Sequence, residues 1–233
     1  PRTDKERLKR LREWVEKGKA WAQYLMAQWY RDGDVGLKQS YVMAAMLYEK
    51  AVDQGDPDAM YGLACLYRDG RGVVQSSEKE AELCTMAAEQ GLTRAMYNLA
   101  RMYDEGNGVD QSDGKAIQYL TMATEQGHVK AMFNLALMYK NGQGVAQSFT
   151  KAAELFTMAA EQGHVEAMYY LGCAYDKGEG VYQSDGKAVE LSTMAAELGH
   201  VDAMFNLALM YRTGHGVPQS NKTAREWFTK ARD

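Results

Sequence analysis

Three histidines, His128, His164 and His200, stand 36 residues apart, and each follows a glycine. Imidazoles in a fixed rhythm invite a metal reading, because neutral imidazole is the commonest metal ligand. Zinc, however, needs each ligand nitrogen about 2.0–2.1 Å away. Packed helices lie about 8–10 Å apart, and equivalent residues one helix pair along are farther still. The three rings therefore cannot share one ion. A fourth histidine, His215, sits inside a glycine turn, where a solvent-exposed residue is expected. Serines repeat as well: Ser76, Ser112, Ser148, Ser184 and Ser220 each follow a glutamine. A serine just ahead of an apolar helical run reads as an N-cap, and no GxSxG elbow surrounds any of them. Gly142-Gln143-Gly144-Val145 and its copies lack the later glycine of a dinucleotide loop and the Gly-Lys-Ser/Thr of a phosphate loop. Glu154 and Glu190 recur as a ridge on successive helices, without a second carboxylate placed for acid and base work. These patterns predict no catalytic residue, no metal site, no cofactor and no enzyme.

The elements behind the repetition are two helices per unit. Ala59, Ala95, Ala131, Ala167 and Ala203 are each followed by Met and an aromatic residue, always 36 residues apart, while Ala22 precedes Ala59 by 37. A period of this size marks a solenoid. In the fourth unit Ala131, Leu135, Met138 and Tyr139 have helical spacing, and Asn141-Gly142-Gln143-Gly144 stops that helix, here called A. Val145 tucks under the turn, Ser148 caps helix B, and Ala152, Leu155, Phe156, Ala159 and Ala160 form its buried stripe. TMAAEQGHV, Thr157 to Val165, is then the end of helix B and the link onward, with Met158 and Ala160 in the core and Glu89, Glu125, Glu161 and Glu197 towards solvent. The constant Tyr30, Tyr67, Tyr103, Tyr139, Tyr175 and Tyr211 are expected as core rings at the joints.

One continuous solenoid is expected: an N-terminal capping helix within 1–18, then six helix pairs in 19–233, at about 22–58, 59–94, 95–130, 131–166, 167–202 and 203–233. The last helix B has no polar cap, so the native protein is expected to continue. Exposed Trp227 and Phe228 would then favour a homodimer through that end. Hydrophobic residues at 46% and charged residues at 25% place the chain among folded proteins, not disordered ones. A net charge of −4 argues against nucleic acid, and no apolar run is long enough for membrane insertion. Cys65, Cys84 and Cys173, odd in number and without CxxC spacing, signal neither a disulfide framework nor zinc and favour reducing, cytoplasmic surroundings; the compartment stays open. Cys65 and Cys84 fall on adjacent segments that can meet.

Ala131 to Glu166, AMFNLALMYKNGQGVAQSFTKAAELFTMAAEQGHVE, resembles the Sel1-like repeat, with its A, L-A, Y, G-x-G-V, K-A and A-A-E-x-G positions. The resemblance runs through six units. It implies an all-α, right-handed superhelical solenoid of antiparallel helix pairs, similar to tetratricopeptide arrays, and an adaptor that brings proteins together. Disulfide-rich members carry a cysteine pair where this chain has Ala88 and Met96, Thr124 and Met132, Ala160 and Met168, so that subfamily and its penicillin binding are not implied. In the second unit Glu80 replaces the alanine seen at 44, 116, 152, 188 and 224, and that helix is expected to shift or open locally.

Counting Ala131 as place one, places three, seven, ten and eleven form one stripe of helix A. The likeness to tetratricopeptide arrays puts that stripe on the concave face. Place three is always aromatic: Tyr24, Tyr61, Tyr97, Phe133, Tyr169, Phe205. Place seven changes, from Gln28 through Cys65, Arg101, Leu137 and Cys173 to Leu209, and place ten carries Arg31, Arg68, Asp104, Lys140, Asp176 and Arg212. An aromatic ladder beside a changing row suits a peptide or a partner protein. The candidate binding residues are Tyr61, Arg68, Tyr97, Arg101, Phe133, Leu137, Lys140, Tyr169, Cys173 and Phe205, with Arg68, Arg101 and Lys140 as anchors for an acidic partner. Place-three rings packing only on the neighbouring helix is the competing explanation. A second reading makes the array a regulatory or recruiting segment of a larger enzyme or signalling protein.

Overall fold

A computed structural model describes residues 4–232. Among these residues there are thirteen α-helices and no strand. α1 (Asp4–Glu16) stands alone, followed by the pairs α2 (Ala20–Asp32) with α3 (Tyr41–Val52), α4 (Pro57–Asp69) with α5 (Ser77–Glu89), and α6 (Thr93–Glu105) with α7 (Asp113–Glu125). Then come α8 (Val129–Asn141) with α9 (Phe149–Glu161), α10 (Val165–Lys177) with α11 (Asp185–Glu197), and α12 (Val201–Thr213) with α13 (Asn221–Arg232). The even-numbered helices are helices A and their partners helices B. Packing groups the chain into two compact units, Pro1–Met122 and Ala123–Asp233, with the boundary inside α7.

Helix A begins two residues before its alanine because the cap lies there. Asp56 Oδ1 accepts the Ala59 N–H at 2.9 Å with Pro57 at the first helical position. In unit 2 the cap is a histidine: Nδ1 of His128, His164 and His200 accepts from the N–H of Ala131, Ala167 and Ala203. Helix A ends on a left-handed glycine such as Gly178, φ 71°, whose N–H returns to Ala174 O. Among the described residues the glutamine ahead of helix B closes another orphan carbonyl in five of the six pairs, as Gln147 Nε2 does by donating to Lys140 O at 2.8 Å. Ser76, Ser148 and Ser184 then cap α5, α9 and α11 as expected, and the Ser184 N–H also donates to Tyr175 O.

The second turn glycine has a different duty. A Cβ on Gly180 (φ 75°) would overlap the Phe149 carbonyl at the start of the preceding helix B, so the turn lies directly on that backbone. Packing elsewhere is built from small residues. Ala131, Ala167, Ala203, Ala159 and Ala195 are fully buried, letting helices approach, while Met132, Met168, Leu171 and Phe156 fill the space between. Truncating one of the large residues to alanine costs about 2–5 kcal/mol.

Several expectations change. Met158 is 43% exposed, not core, because it shares the outward face of α9 with Glu154 and Glu161 four residues before and three after. The four glutamates do lie at the surface. The constant tyrosines are half-buried. Tyr67 and Tyr175 lie under the ammonium groups of Lys79 and Lys187, at 4.8 and 4.7 Å from the ring centres, and their hydroxyls accept from Nζ. α5 is neither shifted nor open: it has the same thirteen residues as its neighbours, and Glu80 is buried within the packing. α1 buries Leu11 against α2, with Trp14 and Trp21 rings 5.9 Å apart. Trp227 and Phe228 on α13 are half-buried, Phe228 against Phe205 and beneath Arg212, Trp227 beneath Lys230, so their expected exposure is reduced.

Candidate partner-binding face

None of the ten candidate residues is buried. Arg68, Arg101 and Phe205 are exposed, and Tyr61, Tyr97, Phe133, Leu137, Lys140, Tyr169 and Cys173 are half-buried. Tyr61, Arg68, Tyr97 and Arg101 belong to unit 1 and the other six to unit 2.

The place-three rings work at the joints as well as facing outward. Phe133 stacks on His164, and Tyr169 on His200, each with centroids 4.6 Å apart. In unit 1 the Tyr61 hydroxyl accepts from Asn98 Nδ2 at 3.0 Å and its ring lies under Arg94, 4.7 Å from the centre. These three rings thus hold their own helix A to the start of the next, whereas Tyr24 packs on Tyr48 of α3 and Phe205 on Phe228 of α13.

In unit 2, Lys140, Cys173, Asp176 and Leu209 of places seven and ten border recesses. Tyr169, Cys173, Asp176 and Lys177 of α10, with Asn206 and Leu209 of α12, line a cavity of about 400 Å³. A second, about 240 Å³, lies along α8 and α10 between Lys140, Ala152, Phe156, Tyr169, Cys173 and Lys177. Burial pushes the Tyr169 hydroxyl up to about 12 and raises the Cys173 thiol, so both stay neutral hydrogen-bonding groups at neutral pH. The Asn206 amide approaches Cys173 Sγ at 3.8 Å. These walls mix apolar surface with donors and acceptors, as ligand recesses do.

The expected cationic anchors are partly engaged. Arg68 Nε donates to Asp69 Oδ1 at 3.0 Å, Arg101 Nη2 to Glu105 Oε1 at 2.8 Å, and Lys140 Nζ lies 5.0 Å from the Tyr170 ring centre. Exposed pairs of this kind are worth ~0–1 kcal/mol and open readily to a competing partner.

Two features were not foreseen from sequence. His215 is no bare turn residue: its Nε2 lies 2.8 Å from Asp176 Oδ1 and 3.4 Å from Asp185 Oδ1, tying the last turn to α10 and α11. Its departure from the Arg, Asn, Gln or Glu of the corresponding turns was the available signal. Glu80, read as a disruption of packing, lies within electrostatic reach of Cys84, Arg68 and Arg101, and Cys84 within that of Cys65. Burial pushes the Cys84 thiol to about 12, and Cys65 and Cys84 are free thiols. Among the described residues no group of three or more His, Cys, Asp or Glu side chains could hold a metal ion, and no helix is long and apolar enough to cross a membrane.

The Sel1 repeat family profile matches six successive stretches, 22–56, 57–92, 93–128, 129–164, 165–200 and 201–233. Five of these starts, 57, 93, 129, 165 and 201, are the first residues of α4, α6, α8, α10 and α12, and the first, 22, lies two residues inside α2. Among solved structures, c5321, a protective antigen of uropathogenic Escherichia coli with an SLR fold, is 31% identical with a TM-score of 0.93. That match covers 97% of this chain and 48% of c5321, so the chain spans about half of that protein's length. A Sel1 repeat protein from Oxalobacter formigenes is 27% identical with a TM-score of 0.79, over 93% of this chain and 86% of the other. A Sel1 repeat protein from Klebsiella pneumoniae is 25% identical with a TM-score of 0.51, over 86% and 97%. No curated protein gives a significant match.

Proposed function

Because the chain belongs to the Sel1 repeat family, whose members are generally non-catalytic protein-interaction modules, we propose that it is an adaptor holding a segment of a partner protein along the helix A stripe. One observation carries this reading: residues that change between repeats at places seven and ten are accessible, and Lys140, Cys173, Asp176 and Leu209 among them border recesses, whereas the constant alanines lie sealed in the joints. A changing row on a constant frame is how a repeat array varies what it grips without altering its packing. The place-three rings supply rigid apolar contact area, and the recesses between helices A accept individual side chains.

The test compares two faces of the same molecule. Partner proteins captured on the immobilised chain are identified, and their affinities measured for an Arg101→Ala, Leu137→Ala variant and for a Glu154→Ala, Met158→Ala variant. The helix A pair should weaken binding at least tenfold, about 1.4 kcal/mol, with melting little changed. Weakening by the helix B pair alone would transfer the function to the opposite face.

A further inference from the structure

Glu80 is where the repeat breaks its own rule on helix B. Ala44, Ala116, Ala152, Ala188 and Ala224 hold the equivalent position, each no more than 2% exposed. Glu80 is 4% exposed, and its Oε2 has no hydrogen-bond partner. An unpaired acid withdrawn from water opposes folding, while alanine at the same place would not. Packing therefore gives no reason for this residue.

Its neighbours show where the carboxyl lies. The charges acting on it are Arg68 and Asp69 at the end of α4, and Arg101 and Glu105 on α6. These are places ten and eleven of one helix A and seven and eleven of the next, so Glu80 reaches the stripe from below. Unit 2 shows the same register independently. There Ala152, the counterpart of Glu80, lines the recess of about 240 Å³ with Lys140, Tyr169, Cys173 and Lys177. In the second repeat the floor of the corresponding position carries an acid.

Neither arginine closes on that acid, since Arg68 is held by Asp69 and Arg101 by Glu105. Asp69 is shared by Arg68 and Arg71, and Glu105 is taken by Arg101, so Glu80 is the carboxylate of this group that no arginine pairs. Burial holds the Glu80 carboxyl above the usual carboxylate range, and the arginines pull it down. An arriving cation would add to that pull.

We propose that Glu80 is a binding residue for one cationic side chain of the partner, an arginine guanidinium or a lysine ammonium inserted between α4 and α6. This rests on the helix A face being the partner surface. The inserted group would supply the charge and the donors that the buried Oε2 lacks.

The probes are N-acetyl-arginine amide and N-acetyl-lysine amide, with N-acetyl-norleucine amide as the uncharged control, titrated into the full chain carrying carboxyl-labelled glutamate. The Glu80 carbon resonance should move saturably with at least one cationic probe and not with the control, and its pH midpoint should fall at saturation. Glu80→Gln should weaken that probe at least tenfold, read on the Arg101 side-chain resonances. Glu80→Ala should abolish the response while raising the melting temperature by a few degrees. A Glu80 signal indifferent to both cations, or a Glu80→Ala chain that melts lower, overturns the proposal. If the cations bind at Glu80 but partner capture ignores the helix A variant, the site stands and the assignment of the face falls. If capture depends on helix A while Glu80 stays silent, the face stands and the site falls.

Discussion

Acidification should loosen unit 2 through its histidine caps. Nδ1 of His128 and of His164 accepts the N–H of Ala131 and Ala167, at 3.2 and 3.3 Å. A protonated imidazole carries hydrogen on both nitrogens and cannot accept, and its charge is also repelled by the positive end of the helix it caps. Burial, the largest influence on each, lowers both groups from the ordinary histidine value, so the folded state binds protons less readily than the unfolded chain. Stability from these caps is therefore complete above about pH 6.5 and is lost as pH falls through the lower folded values. His128 should contribute more, because Glu166, 3.4 Å from His164 Nδ1, draws the second ring the other way.

A cap is worth about 1 kcal/mol, so losing two removes ~2 kcal/mol. At 2–4 °C per kcal/mol for a chain of this size, melting should fall by roughly 4–8 °C. Thermal unfolding followed by circular dichroism between pH 7.5 and 5.0 reads this directly. A His128→Asn, His164→Asn variant keeps good caps that do not titrate and should flatten most of the slope. If that variant loses as much on acidification as the parent chain, the caps are not the cause and the argument fails.

Two further substitutions test the packing. Gly180→Ala should cost at least about 3 kcal/mol, because positive-φ strain adds to overlap with the Phe149 backbone, whereas Gly163→Ala, φ 85° with open space around it, should cost only about 1 kcal/mol; urea unfolding of both decides. Met158→Gln should change stability by less than about 0.5 kcal/mol and Met168→Ala by about 2–5 kcal/mol, since Met158 faces outward and Met168 is buried. Equal losses would return Met158 to the interior.

What sequence reveals here follows from what repetition encodes. A 36-residue period, serine caps and glycine stops are local signals written six times over, and they led directly to helix pairs. The histidine caps were visible as a pattern but not as a role. Histidine is an uncommon cap, and at the corresponding place α6 has Leu92, which makes no side-chain cap bond. Met158 was misplaced because two alanines follow it, and apolar spacing alone does not say which of three adjacent residues turns outward. Glu154 and Glu161 on either side were the better guide. The surroundings of Glu80 and His215 come from other helices, so a single strand of letters could mark them as departures without saying what they meet.

Phe133 lies against the same imidazole that starts α10, and Tyr169 against the one that starts α12. The onset of each helix is consequently wired to a ring that the previous repeat shows to the outside. Whatever settles on Phe133 would be felt two helices along, as slower hydrogen exchange at the Ala167 amide, and fraying there would in turn free the ring to swing.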